Sequence, residues 1–230
     1  MMNPRHCLLL LLSFAFPGSL QAQQTDAGIP LDSQWKLTVY EFVAENQQHT
    51  AWGLEHSERD YLLALELAEK ENLELDQDVL FAAAFLHDMG AFEPYSARGS
   101  DHSQVAADSM AEILEPTGFP MDKLPLVQGA ALGHMYYSPV PDEPHAQVLH
   151  DADTLNFLGA IGIARILSLT TRSGMASDLP GAIATLENMS QELPGTLVLE
   201  TSKAMGAQRA NEMKTFIGAL RAQSADGTAL

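Results

Sequence analysis

Cysteine occurs once in this 230-residue chain, at Cys7. Cys7 lies in an N-terminal stretch that reads as removable, so the remainder is expected to have neither a disulfide nor a thiolate ligand. Its stability must then come from a packed core, and any metal must be held by imidazoles and carboxylates. Positive charge is also scarce: 12 Lys and Arg stand against 30 Asp and Glu, for a formal net charge of −18. Such a surface repels phosphate backbones, which argues against long nucleic acid and anionic membranes as partners. A phosphorylated ligand would depend on a metal and a few local cations. No stretch alternates apolar and polar residues for long enough to require a strand. The longest apolar run falls short of the about 20 residues that span a bilayer comfortably, so no stable membrane anchor is expected.

That run belongs to the N-terminus. Arg5 supplies a positive start, Cys7 to Phe16 an apolar segment, and Leu20-Gln21-Ala22 a site resembling those cut by signal peptidase. Residues 1 to 22 therefore read as a cleaved signal peptide, which implies a periplasmic or secreted protein. Without Arg5 the net charge becomes about −19. About 208 residues remain, enough for one domain with a sizeable core. They divide into a helical domain over 23–222 and a flexible tail over 223–230, with no repeat and no internal domain boundary.

Helical periodicity dominates what is there. Asp32-Ser33 opens a first helix reaching about Asn46, and a second runs from about Leu54 to Glu71, with His56 on the same face as Tyr61, Leu62, Leu65 and Ala68. Asp76 is a good N-cap for a third helix ending at His87-Asp88, after which Gly90 lets the chain turn away. Further helices are expected over Asp101–Leu114, Met121–Met135, Asp151–Leu169, and about 182–192 and 197–222. Loops are expected over 91–100, over the proline-rich 138–144, and over 174–181.

Chemistry concentrates at His87-Asp88, an imidazole and a carboxylate closing the apolar run Val79-Leu80-Phe81-Ala82-Ala83-Ala84-Phe85-Leu86. Both side chains suit a divalent metal. Upstream lies Glu55-His56-Ser57-Glu58-Arg59, and downstream His150-Asp151-Ala152-Asp153-Thr154-Leu155-Asn156 runs into Gly159-Ala160-Ile161-Gly162-Ile163-Ala164-Arg165. The order His, His-Asp, Asp with these neighbours, over roughly Gly53 to Arg165, resembles the HD-domain superfamily of metal-dependent phosphohydrolases. Weaker similarity to its small bacterial hydrolases continues to about Leu220. The resemblance implies an all-α fold, a single compact HD-like bundle of about seven to nine helices.

By that resemblance His56, His87, Asp88 and Asp151 match the metal-binding motif. Taken singly, His56 could be a surface residue of a helix start, Asp88 a loop residue and Asp151 an N-cap. His102 and His134 lie where several family members carry two histidines for a second metal, which allows a binuclear site bridged by Asp88; the alternative for His102 is exposure or support of a ligand. Asp88, Glu93 and Asp153 are the candidate catalytic acids or bases. Arg59 and Arg98 are the candidate substrate-binding cations, while Arg165 reads as structural and His145 and His150 as structural or surface residues. Thr154 stands where the related small hydrolases frequently have Arg, and Asn156 where they frequently have Asp, two departures from the pattern on which nucleotide specificity would be carried over.

These readings converge on an exported hydrolase that cleaves a small phosphate ester or phosphoanhydride, nucleotides included, with metal-activated water. One or two divalent ions are expected. The sequence does not separate manganese, iron, cobalt, nickel or zinc from magnesium, but imidazole-rich ligation favours a transition metal over magnesium alone. The alternatives are an HD-type diiron oxygenase and a metal-binding or ligand-binding protein without turnover. The sequence leaves self-association into a homo-oligomer open.

Overall fold

The computed structural model describes residues 23–99, 101–170 and 176–230. The expected signal peptide, residues 1–22, and the first residues of the expected loop at 174–181 lie outside them. Among the described residues nine α-helices form a mostly helical bundle. The chain enters through a two-residue antiparallel ribbon, β1 (Gln23–Gln24) against β2 (Pro30–Leu31). The ribbon is too short for alternation to betray it, and Gly28 closes its turn at φ 82°.

Capping residues set the helix starts. Ser33 caps α1 (Gln34–Asn46) through Lys36 N, and Asp76 caps α3 (Gln77–Leu86) by accepting from Asp78 N and Val79 N. Between them α2 (Leu54–Glu71) ends where Asn72 adopts the left-handed conformation. Every residue from Val79 to Leu86 is fully buried, so α3 is the axis of the bundle. The reason is compositional, because an apolar helix without a polar face must be covered on all sides. Phe81 and Phe85 stack at 4.2 Å, and Trp35 meets Phe81 edge-on at 5.5 Å. Truncating Phe81 to Ala would cost about 3–5 kcal/mol.

The helices α4 (His102–Leu114) and α5 (Leu124–Gly133) pack on each other, and α5 also packs on α3. The sequence pattern places a helix start at Asp151, but α6 spans Pro144–Asn156, with Glu143 as N-cap and Pro144 in the first turn. The helix expected to continue to Leu169 breaks after Asn156, and α7 (Gly159–Leu169) leaves at 65°. Gly159 sits at φ 69°, and a Cβ on Gly162 would lie 2.2 Å from the Phe157 carbonyl oxygen, so both glycines are needed for this corner. α8 (Leu179–Glu192) and α9 (Glu200–Gln223) complete the bundle, α9 running to the edge of the expected tail. No single described helix is long and apolar enough to cross a membrane.

Candidate metal centre

Five helices bring their ends or inward faces to one buried point. His56 lies in the first turn of α2, His87 caps the C-terminus of α3, and His134 caps that of α5. His102 opens α4, and Asp153 faces inward from the middle of α6. Asp88, directly after α3, has φ −92° and ψ 0°, a sparsely populated conformation frequent at active sites. Gly90 makes the convergence sterically feasible in a way the sequence does not announce. A Cβ there would lie 2.1 Å from His102 O and 2.8 Å from Ala106 N, so the bare backbone lets α4 seat His102 beside Asp88.

Asp88 stands between two groups of donors. Its Oδ2 lies 3.5 Å from His56 Nε2 and 3.4 Å from His87 Nε2. Its Oδ1 lies 3.5 Å from His102 Nε2 and 3.6 Å from His134 Nε2. On the inner side His56 Nε2 is also 3.2 Å from Asp153 Oδ1 and 3.1 Å from Asp60 Oδ2. The Nδ1 atoms of His87 and His134 face the Ala84 and Ala131 carbonyls at 2.9 and 2.6 Å, which turns both Nε2 atoms into the cluster.

Polar atoms remain orphaned there. His87 Nε2, Asp60 Oδ2 and Asp153 Oδ2 are buried without a hydrogen-bond partner. The Nε2 atoms of His102 and His134 meet at 3.3 Å. Buried polar atoms normally have partners, so several unsatisfied donors and acceptors converging on one volume fit a cation that would satisfy them. Two sets of such groups, His56-Asp60-His87-Asp153 and His87-Asp88-His134, have their atoms close enough together to hold an ion.

The electrostatics agree. Burial disfavours a charged His87, yet the neighbouring carboxylate of Asp88, then those of Asp60 and Asp153, override it and push its pKa up to about 10. Asp88 is held well below the usual carboxylate range: burial opposes this, but the charge of His87 and the close imidazoles of His134 and His56 outweigh it. Asp153 is lowered against its burial by His56, whereas burial raises Asp60. His102 is lowered by burial. Without a metal the carboxylates draw a proton onto His87, and a divalent ion supplies that positive charge instead.

Several expected site residues lie elsewhere. Asp151 points away from the cluster: its two oxygens accept from Val198 N at 2.9 Å and Leu199 N at 2.8 Å, capping the entry to α9. The α6 carboxylate at the cluster is Asp153, because two residues along a helix turn the side chain to the opposite face. Glu93 is exposed and accepts from Ser96 Oγ. Arg98 pairs on the surface with Glu112 at 2.9 Å and covers the Tyr95 ring. Arg59 donates from Nε to Asn156 Oδ1 at 3.3 Å, behind the cluster. The ring nitrogens of His145 face Asp76 N and Glu143, and those of His150 face Gly133 O and Thr196 O, so both serve the scaffold.

Asp60 and Arg165 were not singled out for the site by the pattern. Asp60 is four residues after His56, a spacing that puts both on one helical face. Arg165 donates from Nε to Ala51 O at 2.7 Å, stacks over Phe157 at 4.5 Å and places Nη2 3.4 Å from His56 Nε2. Its Nη1 is buried without a partner. Outside the cluster opens a cavity of about 200 Å³, where Asp88, His102, Asp153 and Arg165 face Trp52, Met135, Tyr136, Phe157 and Met189.

A helical bundle that gathers His, His-Asp and Asp onto one buried, cation-seeking point is a metallohydrolase scaffold. Residues 53–158 match the family model of the HD domain, and that stretch of the chain is an HD domain. A protein of Lactobacillus plantarum is 22% identical with a TM-score of 0.60, over 82% of this chain and 96% of that one. Bacillus subtilis YpgQ in complex with ADP is 21% identical with a TM-score of 0.60, over 82% and 97%. A predicted HD-superfamily hydrolase from an uncultured Thermotogales bacterium is 23% identical with a TM-score of 0.57, over 82% and 90%. At these identities the likeness is one of fold. No curated protein matches the sequence.

Proposed function

We propose that this protein is an exported phosphohydrolase that releases phosphate from a small phosphate ester or phosphoanhydride carrying an apolar or aromatic group. The observation that carries the reading is the shared lining of the cavity: the metal donors Asp88, His102 and Asp153 line it together with Arg165, whose Nη1 is buried without a partner, and with Trp52, Tyr136 and Phe157. A divalent ion held by His56, His87, Asp88, Asp153, His102 and His134 would neutralise charge on a phosphoryl oxygen and bring the pKa of a water towards about 7. Arg165 anchors one edge of its guanidinium on Ala51 O and keeps N–H donors for an incoming oxyanion, the geometry that suits phosphate. The rings and thioethers exclude water and hold the organic part of the ligand. Asp153 orients towards His56 with one oxygen and keeps the other free. Binding of ADP by YpgQ supports a phosphorylated ligand of this size. The sequence of residues 1–22 supports export.

The test uses protein stripped with chelator and reloaded with manganese, cobalt, nickel, iron or zinc. Phosphate release from nucleoside phosphates and sugar phosphates is expected with at least one metal, and lost in Asp153→Asn. Absence of phosphate release with every metal overturns the proposal. Oxygen consumption by the iron-loaded protein would assign the site to the oxygenase chemistry that the same donors permit. Recovery from the periplasm of a chain beginning near Gln23 checks export.

A further inference from the structure

Asp60 is a fully buried carboxylate whose two oxygens live in different surroundings. Oδ1 accepts a hydrogen bond from Asn156 Nδ2. Oδ2 has no hydrogen-bond partner, and lies 3.1 Å from His56 Nε2 and 3.7 Å from His87 Nε2. Asn156 itself is fixed: Nδ2 also donates to Ala152 O at 3.1 Å, and Oδ1 accepts from Arg59 Nε at 3.3 Å. Its amide cannot be flipped without setting donor against donor at Arg59 and acceptor against acceptor at Asp60.

We propose that Asp60 is a ligand of the metal centre, aimed by Asn156 and, through it, by Arg59. This rests on the metal-dependent reading above. If Asp60 served only to orient His56, its Oδ2 would take the Nε2–H. The same nitrogen, however, has Asp153 Oδ1 at 3.2 Å and Asp88 Oδ2 at 3.5 Å, and one N–H cannot serve three carboxylates. Carboxylate oxygens crowded around imidazole nitrogens, with Asp60 Oδ2 and His87 Nε2 unsatisfied, are the surroundings of a cation. The identity of residue 156 follows. A carboxylate there would meet Asp60 Oδ1 as a like charge in a dry interior, whereas the amide supplies the donor that pins it. Arg59 is a positioning residue, since its guanidinium touches Asn156 and is absent from the cavity wall.

The test measures Mn²⁺ affinity by titration calorimetry, and melting of the metal-free form, for Asp60→Asn, Asn156→Leu and the double variant. Asp60→Asn is expected to weaken Mn²⁺ by more than about 100-fold, whereas loss of a group that only supported His56 would cost about 10- to 100-fold. The metal-free form should melt no lower than the unsubstituted protein, because a neutral amide is less costly to bury than a carboxylate and its oxygen can still accept from Asn156 Nδ2. Asn156→Leu should weaken Mn²⁺ about 10- to 100-fold, as loss of a supporting group does, and the double variant no more than Asp60→Asn alone. Unchanged Mn²⁺ affinity in Asp60→Asn, with a lower metal-free melting temperature, makes the carboxylate a scaffold residue and overturns the proposal. Should Asp60→Asn fail to fold, Arg59→Met at its half-buried position decides: a several-fold weaker Mn²⁺ supports the relay, and unchanged affinity overturns it. Weakened Mn²⁺ in a protein that releases no phosphate supports Asp60 as ligand and counts against hydrolysis alone.

Discussion

Gly90→Ala adds one methyl group at the point where α4 rests on the His-Asp turn. The new Cβ would lie 2.1 Å from His102 O and 2.8 Å from Ala106 N, both backbone atoms that cannot rotate away. Restoring a contact of about 3.2 Å requires the start of α4 to retreat by roughly 1 Å, and displacement on that scale in a packed interior costs about 1–3 kcal/mol. His102 is the first residue of α4 and moves with it, away from an Asp88 Oδ1 already 3.5 Å distant. A misplacement of that size in a catalytic constellation lowers turnover by about 100-fold. Two assays read the two effects: melting of the metal-free protein, and phosphate release under metal saturation. Gly129→Ala is the control, because nothing lies within 4 Å of its added Cβ, and it should stabilise α5 by about 0.5–1 kcal/mol. A Gly90→Ala protein that melts and turns over like the unsubstituted one would refute the claim that this close approach positions His102.

Asp151→Asn should leave metal content unchanged while lowering stability by about 1–3 kcal/mol through the lost cap on Val198 and Leu199, whereas Asp153→Asn should lower metal content; the reverse pattern by elemental analysis would restore Asp151 as the ligand. Arg165→Lys should raise KM for a phosphorylated substrate at least tenfold with metal binding intact, since a point charge loses the fork that holds Ala51 O and reaches the cavity; an unchanged KM would remove Arg165 from substrate binding. Stability of the chelated protein should fall as pH rises from about 6.5 to about 10. His87 is protonated in both folded and unfolded chains below 6.5, and above it only the folded chain keeps the proton, up to about 10. Melting temperatures that hold level or rise across that interval, relative to His87→Gln, would contradict the sign.

The fold was largely legible because its signals are local. Ser33, Asp76 and Asp101 are N-caps, and an apolar Val79–Leu86 requires cover on every side. The corner after Asn156 was not, because the run from Asp151 to Leu169 keeps its apolar period through a break that only the backbone of Phe157 and Gly159 reveals. The same error hid the orientation of α6. With the helix start set at Asp151 rather than Pro144, the residue looked like a cap and its face could not be chosen against that of Asp153. His56, His87, Asp88, His102 and His134 are brought together by packing over long sequence separations, which chain order alone could indicate only through resemblance. Asp60 was within reach from its four-residue spacing to His56. Arg165 was not, because its role depends on Ala51 and Phe157, residues without chemical signature.

α6 carries Asp153 on the face that meets the metal donors and Asp151 on the face that holds the entry to α9, one helical shaft between two loads. The C-terminal hairpin of α8 and α9 lies beyond the matched segment 53–158, yet its docking and the aim of Asp153 are mechanically joined. Trimming the chain back to the matched segment would therefore untether Asp153 from behind, and occupancy of the metal centre should in turn shield the C-terminal helix from proteases.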